Sequence, residues 1–194
     1  MRTARAARTA AALLTAVLAV TVAGCGTGHD AVDTSAGGNR YVPGDGRTVS
    51  YPVAQRRSAP ALTGTTLDGT GYDLATARGR VVVLNFWASW CAPCVAESAD
   101  LDAVYRASHA SGVDFLGVNT RDQHDAAVAF AGARLAYPSL FDPAGRIALR
   151  FNDVNVTLPS TLIVDRSGRI AVVIHDGITT ATLTPLVDRI AAEP

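Results

Sequence analysis

Two cysteines separated by two residues, Cys91 and Cys94, carry the most specific chemistry in the sequence. They lie in Trp87-Ala88-Ser89-Trp90-Cys91-Ala92-Pro93-Cys94, after the apolar run Val81-Val82-Val83-Leu84 and before a stretch with helical periodicity. A Cys-x-x-Cys at a strand-to-helix junction reads as a thiol–disulfide redox motif. Exchange needs a thiolate. A free cysteine has a pKa near ~8.5, and a helix N-terminus lowers it through its partial positive charge and unpaired N–H groups. Cys91, at the start of the helix, is therefore the expected attacking sulfur. Cys94, one turn further in and expected to be the more buried, resolves the mixed disulfide. Pro93 fits the first helical turn, where its missing N–H costs nothing. Ala92 and Pro93 lie between the sulfurs and are expected to influence thiolate stability. Trp90 is expected beside Cys91 as a flat apolar surface for substrate, and Trp87 in the core. Glu97 follows Cys94 by three residues on the same helix face. That spacing lets its carboxylate exchange a proton with Cys94; the alternative is a solvated helix carboxylate.

The surrounding pattern supplies the elements that would hold these groups. Residues 81–86 read as a strand buried on both faces. Residues 93–109 read as a helix closed by Gly112, and 113–119 as the next strand. An alanine-rich helix over 123–135 follows, then a short strand at 138–141 and a short helix at 143–151. Residues 160–165 and 170–175 form two strands joined by the turn 166–169, and a last helix runs over 182–192 with Pro185 in its first turn. Upstream, Leu67-Asp68-Gly69-Thr70-Gly71 signals a hairpin between residues 62 and 74. A β-α-β start demands parallel strands with right-handed crossovers, whereas the tight turn at 166–169 demands an antiparallel pair. The expected fold class is α/β, a central mixed sheet flanked by helices on both faces, with an N-terminal β-hairpin extension.

The N-terminus reads as an address. Arg2, Arg5 and Arg8 precede the uncharged, Ala/Leu/Val-rich stretch 10–23, which is shorter than the ~20 residues of a spanning helix and fits a secretory signal peptide. Val22-Ala23-Gly24-Cys25 resembles a bacterial lipobox, which implies that Cys25 becomes a lipidated first residue. The chain has three cysteines, and an odd count in an exported protein calls for such an explanation. Residues 26–58 are rich in Gly, Ser, Thr, Asp and Pro without periodicity and read as a flexible tether, with a short extra strand within 41–53 as the alternative. The expected organisation is a lipoprotein signal peptide over 1–24, a lipid-anchored tether over 25–58 and one domain over 59–194.

The blocks Val83-Leu84-Asn85-Phe86-Trp87-Ala88-Ser89-Trp90-Cys91-Ala92-Pro93-Cys94, Glu97, Phe115-Leu116-Gly117-Val118-Asn119 and Leu158-Pro159-Ser160-Thr161-Leu162-Ile163-Val164-Asp165, followed by Ser167-Gly168-Arg169-Ile170, resemble the thioredoxin superfamily. More narrowly, they are similar to its TlpA/ResA-type exported thiol–disulfide oxidoreductases. The resemblance spans residues 60–192 and implies a thioredoxin-like fold. It implies that Pro159 is a cis proline and that the Leu158–Pro159 loop faces the cysteine pair, where its backbone can pair with a bound peptide. It also implies an acidic partner at Glu97. Asn85 stands where thioredoxin itself usually has a buried aspartate, which moves proton handling toward Glu97. Two departures bear on substrate fit: Ala99 replaces a proline common in the family, and residues 151–157 lack its usual glycine.

All 17 basic residues are arginines and balance 17 acidic ones. With no basic run or aromatic–basic interleaving, nucleic-acid binding has no support. Half a zinc site is the bland reading of a Cys-x-x-Cys. His29, His109, His124 and His175 are scattered without ligand spacing, so no metal is expected, and no cofactor beyond a redox-active Cys91–Cys94 disulfide. The family resemblance implies a monomeric protein on the outer face of the cell membrane. It would reduce protein disulfides, for example in apocytochrome c, and draw electrons from a membrane thiol carrier. A disulfide oxidant, and a non-catalytic thioredoxin-like lipoprotein that binds a partner, are the alternatives.

Overall fold

The computed structural model describes residues 46–194; the expected signal peptide, Cys25 and most of the expected tether lie outside the described residues. A six-stranded sheet forms the centre. In chain order its strands are β1 (Thr48–Ser50), β4 (Val81–Trp87), β5 (Val113–Thr120), β6 (Ser139–Asp142), β7 (Ser160–Val164) and β8 (Ile170–Ile174), with spatial order β1-β8-β7-β4-β5-β6. The strands β4, β5 and β6 run parallel, and β7 pairs antiparallel with both β4 and β8. A separate hairpin pairs β2 (Thr63–Thr65) with β3 (Gly71–Asp73). The helices are α1 (Ala92–Ser108), α2 (His124–Arg134), α3 (Arg146–Arg150) and α4 (Thr180–Ala191).

The unbroken apolar run of β4 takes the middle of the sheet, with every residue buried, because such a strand has no face it can offer to water. Its alternation feeds two cores. Val82, Leu84 and Phe86 join Leu62, Leu74, Ile147 and Phe151 under the hairpin and α3. Val81 and Val83 join Leu101 and Val104 of α1 and Leu183, Val187 and Ile190 of α4. Helices thus cover both faces. Truncating one of the wholly buried leucines, such as Leu84, to alanine would cost about 2–5 kcal/mol.

The structure differs from the sequence reading in two boundaries. Residues 48–58 belong to the folded unit. Strand β1 pairs with β8 through Thr48↔Ile174 and Ser50↔Val172, and Ser58 bridges to Arg169. The short extra strand is therefore what forms, and the tether boundary at residue 58 is too late. Helix α4 starts at Thr180, capped by Thr179 in a box with Thr182, which places Pro185 inside the helix rather than in its first turn. The reciprocal cap satisfies backbone N–H groups that a start at Thr182 would leave open. Gly112 does close the first helical segment: at φ +87° it is in the left-handed region, where a Cβ is penalised.

Candidate active site

The C-terminal end of β4 delivers the chain into the turn Ala88–Cys91, closed by a 3.2 Å bond from Cys91 N to Ala88 O. Cys91 is the N-cap of α1, and its Sγ accepts from Cys94 N at 3.3 Å. The two cysteines form a disulfide, S–S 2.06 Å, with Cα atoms 5.3 Å apart. Pro93 occupies the first turn of α1. In sequence terms, the Cys-x-x-Cys spacing becomes a helix start at which the Cys94 N–H donates to the first sulfur.

The expected difference in burial between the cysteines is not found: Cys91 is 1% exposed and Cys94 2%. Both share an apolar cluster with Trp87, Ala88 and Ala127, walled by the half-buried Leu67, Trp90, Phe130 and Leu158. Leu67 comes from the hairpin tip, Phe130 from α2 and Leu158 from the loop before β7. Ala92 is exposed and Pro93 half-buried, so the dipeptide between the cysteines forms the open rim.

The Leu158–Pro159 peptide bond is cis. Pro159 is buried, and Leu158 packs against the cluster that contains the disulfide. In the preceding loop Asn155 has φ +49°; asparagine is among the few side chains that tolerate this region, which suits a segment without glycine.

Glu97 is 2% exposed. Its Oε1 accepts from Asn85 Nδ2 at 2.9 Å and its Oε2 from Ile178 N at 3.0 Å. Asn85 Nδ2 also donates to Thr161 Oγ1 at 3.1 Å, so β4, α1 and β7 are joined beneath the cysteines. Burial pushes the Glu97 carboxyl up to about 7, against the pull of those two donors, with further upward pressure from Asp176 and Asp100. The donors are neutral and satisfy the geometry without supplying a positive charge. A buried carboxyl held near neutrality, one turn from Cys94, can both take and return a proton.

Sequence reasoning missed the groups that hold the turn. Ser89 N and Oγ donate to Asp122 at 2.6 and 2.9 Å, and Trp90 Nε1 donates to Arg121 O at 3.0 Å. The available signal was the position of Asn119–Asp122 where β5 ends, since sites in parallel sheets form at the carboxyl ends of strands. Trp87 lies in the core, its Nε1 3.3 Å from Ser139 Oγ. That approach requires Gly117, because a Cβ there would overlap Ser139 Oγ and stand 2.7 Å from Trp87 Nε1. Among the described residues no three metal-ligating side chains cluster, and no helix is long and apolar enough to cross a membrane.

Residues 56–173 match the AhpC/TSA family. Among characterised relatives, the thiol–disulfide oxidoreductase ResA of Geobacillus kaustophilus is 32% identical over 121 residues, covering 61% of this chain and 68% of that protein. Among solved structures, a secreted thiol–disulfide isomerase from Corynebacterium glutamicum superposes with a TM-score of 0.72 at 31% identity, covering 80% of this chain and 99% of that one. A secreted Mycobacterium tuberculosis disulfide oxidoreductase homologous to E. coli DsbE gives 0.60 at 30% identity, covering 66% and 95%.

Proposed function

The chain belongs to the AhpC/TSA family, with the thioredoxin-like ResA-type thiol–disulfide oxidoreductases, and from that premise we propose that it reduces protein disulfides outside the cytoplasm. The observation that carries the reading is the Cys91–Cys94 disulfide at the N-terminus of α1 with Glu97 buried one turn below. In the dithiol form the Cys91 thiolate attacks a substrate disulfide. One substrate sulfur leaves as a thiolate, and a mixed disulfide with Cys91 forms. Cys94 gives its proton to Glu97 and attacks Cys91 Sγ. The second substrate sulfur leaves, and the Cys91–Cys94 bond closes. The substrate gains two electrons; one of its sulfurs takes the Cys94 proton back from Glu97, and the other takes a proton from solvent, where that of Cys91 had gone. A dithiol donor then reverses these steps to regenerate the protein. The cis Leu158–Pro159 segment offers backbone groups to a bound peptide, with Trp90, Ala92 and Pro93 as the facing surface.

The lipobox at Cys25 supports an anchored protein on the outer face of the membrane, with residues 1–24 removed. A membrane thiol carrier would then supply electrons, and apocytochrome c is a client of the right chemistry. Two measurements test the reading. A Cys94→Ser protein accumulates mixed disulfides with substrate through Cys91; trapping by Cys91→Ser instead reverses the roles. Equilibration with glutathione gives the potential of the pair. A value close to thioredoxin's ~−270 mV supports a reductant, whereas one near DsbA's ~−120 mV makes the protein an oxidant. A chain that does not cycle at all would be a partner-binding protein.

A further inference from the structure

The two residues before Cys91 are held from outside their own strand and helix. Asp122, 8% exposed, accepts four hydrogen bonds. Ser89 N and Asn119 Nδ2 reach its Oδ2 at 2.6 and 2.8 Å, and Ser89 Oγ and Gln123 N reach its Oδ1 at 2.9 and 2.8 Å. None of these donors is cationic, yet together they use both oxygens of the carboxylate, so the group is fixed in place. The adjacent Arg121 lies at φ +53°, a region uncommon for a residue with a Cβ, and its carbonyl accepts the indole N–H of Trp90 at 3.0 Å. Arg121 N is in turn tied to Asp142 O at 3.2 Å. The corner between β5 and α2 therefore orients the half-exposed indole that walls the disulfide.

We propose that Asp122 is a positioning residue that fixes Trp90 as a substrate-facing wall, so that the β5–α2 corner sets how well Cys91 engages a protein disulfide relative to a small one. The proposal rests on the exchange reaction above. A protein substrate must lay a peptide along the rim formed by Trp90, Ala92 and Pro93. A small disulfide needs only access to the sulfur. Losing Asp122 releases Ser89 and with it the turn that carries Trp90, so the indole, left with its bond to Arg121 O, can reorient. A wall that must be ordered at each encounter weakens the productive complex, whereas the sulfurs stay where α1 holds them.

The test compares second-order rates of the reduced full-length protein toward insulin and toward bis(2-hydroxyethyl) disulfide. Asp122→Ala is expected to lose about tenfold toward insulin, the scale of one fixed aromatic contact at an interface, and to keep its rate toward the small disulfide. Asp122→Asn keeps most of the rate: Ser89 Oγ can turn to accept from the new amide, so three of the four bonds survive. Trp90→Ala loses at least as much as Asp122→Ala, and the double variant loses no more than Trp90→Ala alone, because Asp122 acts through the placement of the indole. Asp122→Ser, which retains one acceptor, gives the same pattern at smaller amplitude if the alanine variant does not fold. Equal losses on both disulfides, additive losses in the double variant, or no loss toward insulin would overturn the positioning role alone. A wild-type protein inert toward both disulfides would overturn the exchange reaction and this role with it.

Discussion

The two ends of the central sheet each bury carboxylates, and they treat them in opposite ways. At the end away from the cysteines, Asp165 meets Arg56 at 3.1 Å, Arg169 Nη2 at 3.0 Å and the N–H groups of Ser167 and Arg169. Arg56 also holds Glu193 at 2.5 and 2.7 Å and donates to Tyr51 O. Burial alone would raise Asp165, but its backbone and guanidinium donors override it and hold the carboxyl below the usual range; the Arg56 hydrogen bond likewise lowers Glu193. At the cysteine end Glu97 has two good hydrogen bonds and no cation, and burial raises it. The same chemical group is thus a fastener at one end, tying the N-terminal segment, the β7–β8 turn and the C-terminus together. At the other end it is the proton carrier of the proposed exchange. The difference lies in whether the donors bring charge or only geometry.

The contrast breaks most visibly at the fastener. Arg56→Met takes the guanidinium from Glu193 and one of two from Asp165, which keeps Arg169 and two N–H donors, and should cost about 2–4 kcal/mol, read as a lower midpoint in urea. The rate of exchange per folded molecule should not change. A matching loss of rate would mean that the two ends are coupled.

Glu97→Gln comes next, through the pH dependence of stability. The folded carboxyl is raised from 4.5 to about 7, so between those values the native state binds more protons than the unfolded chain. Stability then falls as pH rises across that window, and the full cost is present above it. Removing the charge should therefore leave the protein more stable at pH 8 by roughly 2–4 kcal/mol, with no gain at pH 4. The lowered Asp165 and Glu193 work in the other direction: their contribution is present above the usual carboxylate range and is lost as pH falls through their folded values. Urea melts at several pH values separate the two.

Two smaller changes sharpen the picture at the site. Gly117→Ala pushes a methyl into the contact between Ser139 and Trp87 and should cost about 1–3 kcal/mol, with a changed tryptophan emission. Thr161→Val removes an acceptor of Asn85 Nδ2 and should cost about 1 kcal/mol. It should move the Glu97 titration by less than about one unit, since Asn85 keeps its bond to the carboxylate.

Much of this was legible in the sequence because it is local. The run 81–86, the Cys-x-x-Cys and the i+3 spacing of Glu97 are short patterns that need no distant partner, and the proline block is recognisable by its order in the chain. What escaped depends on contacts made across the fold. The three residues of β1, Thr-Val-Ser, have no apolar pattern; β8 offers them an edge. The depth of Glu97 comes from Asn85 and the backbone of Ile178, and the burial of Cys91 from walls at residues 67 and 158. Asp122 looks like any acidic residue ahead of a helix until Ser89 is placed against it. Pro185 pulled the expected helix start toward itself, whereas the Thr179–Thr182 cap decided it.

In the proposed exchange Glu97 carries the proton of Cys94 during resolution. The most direct measurement is the pH dependence of mixed-disulfide resolution by stopped flow, in the wild type and in Glu97→Gln. The wild-type rate should rise through an inflection near the Glu97 value of about 7, as the carboxylate that accepts the proton forms. The Glu97→Gln rate should be lower above that pH and lack the inflection. Superimposable profiles would mean that Glu97 carries no proton in this step.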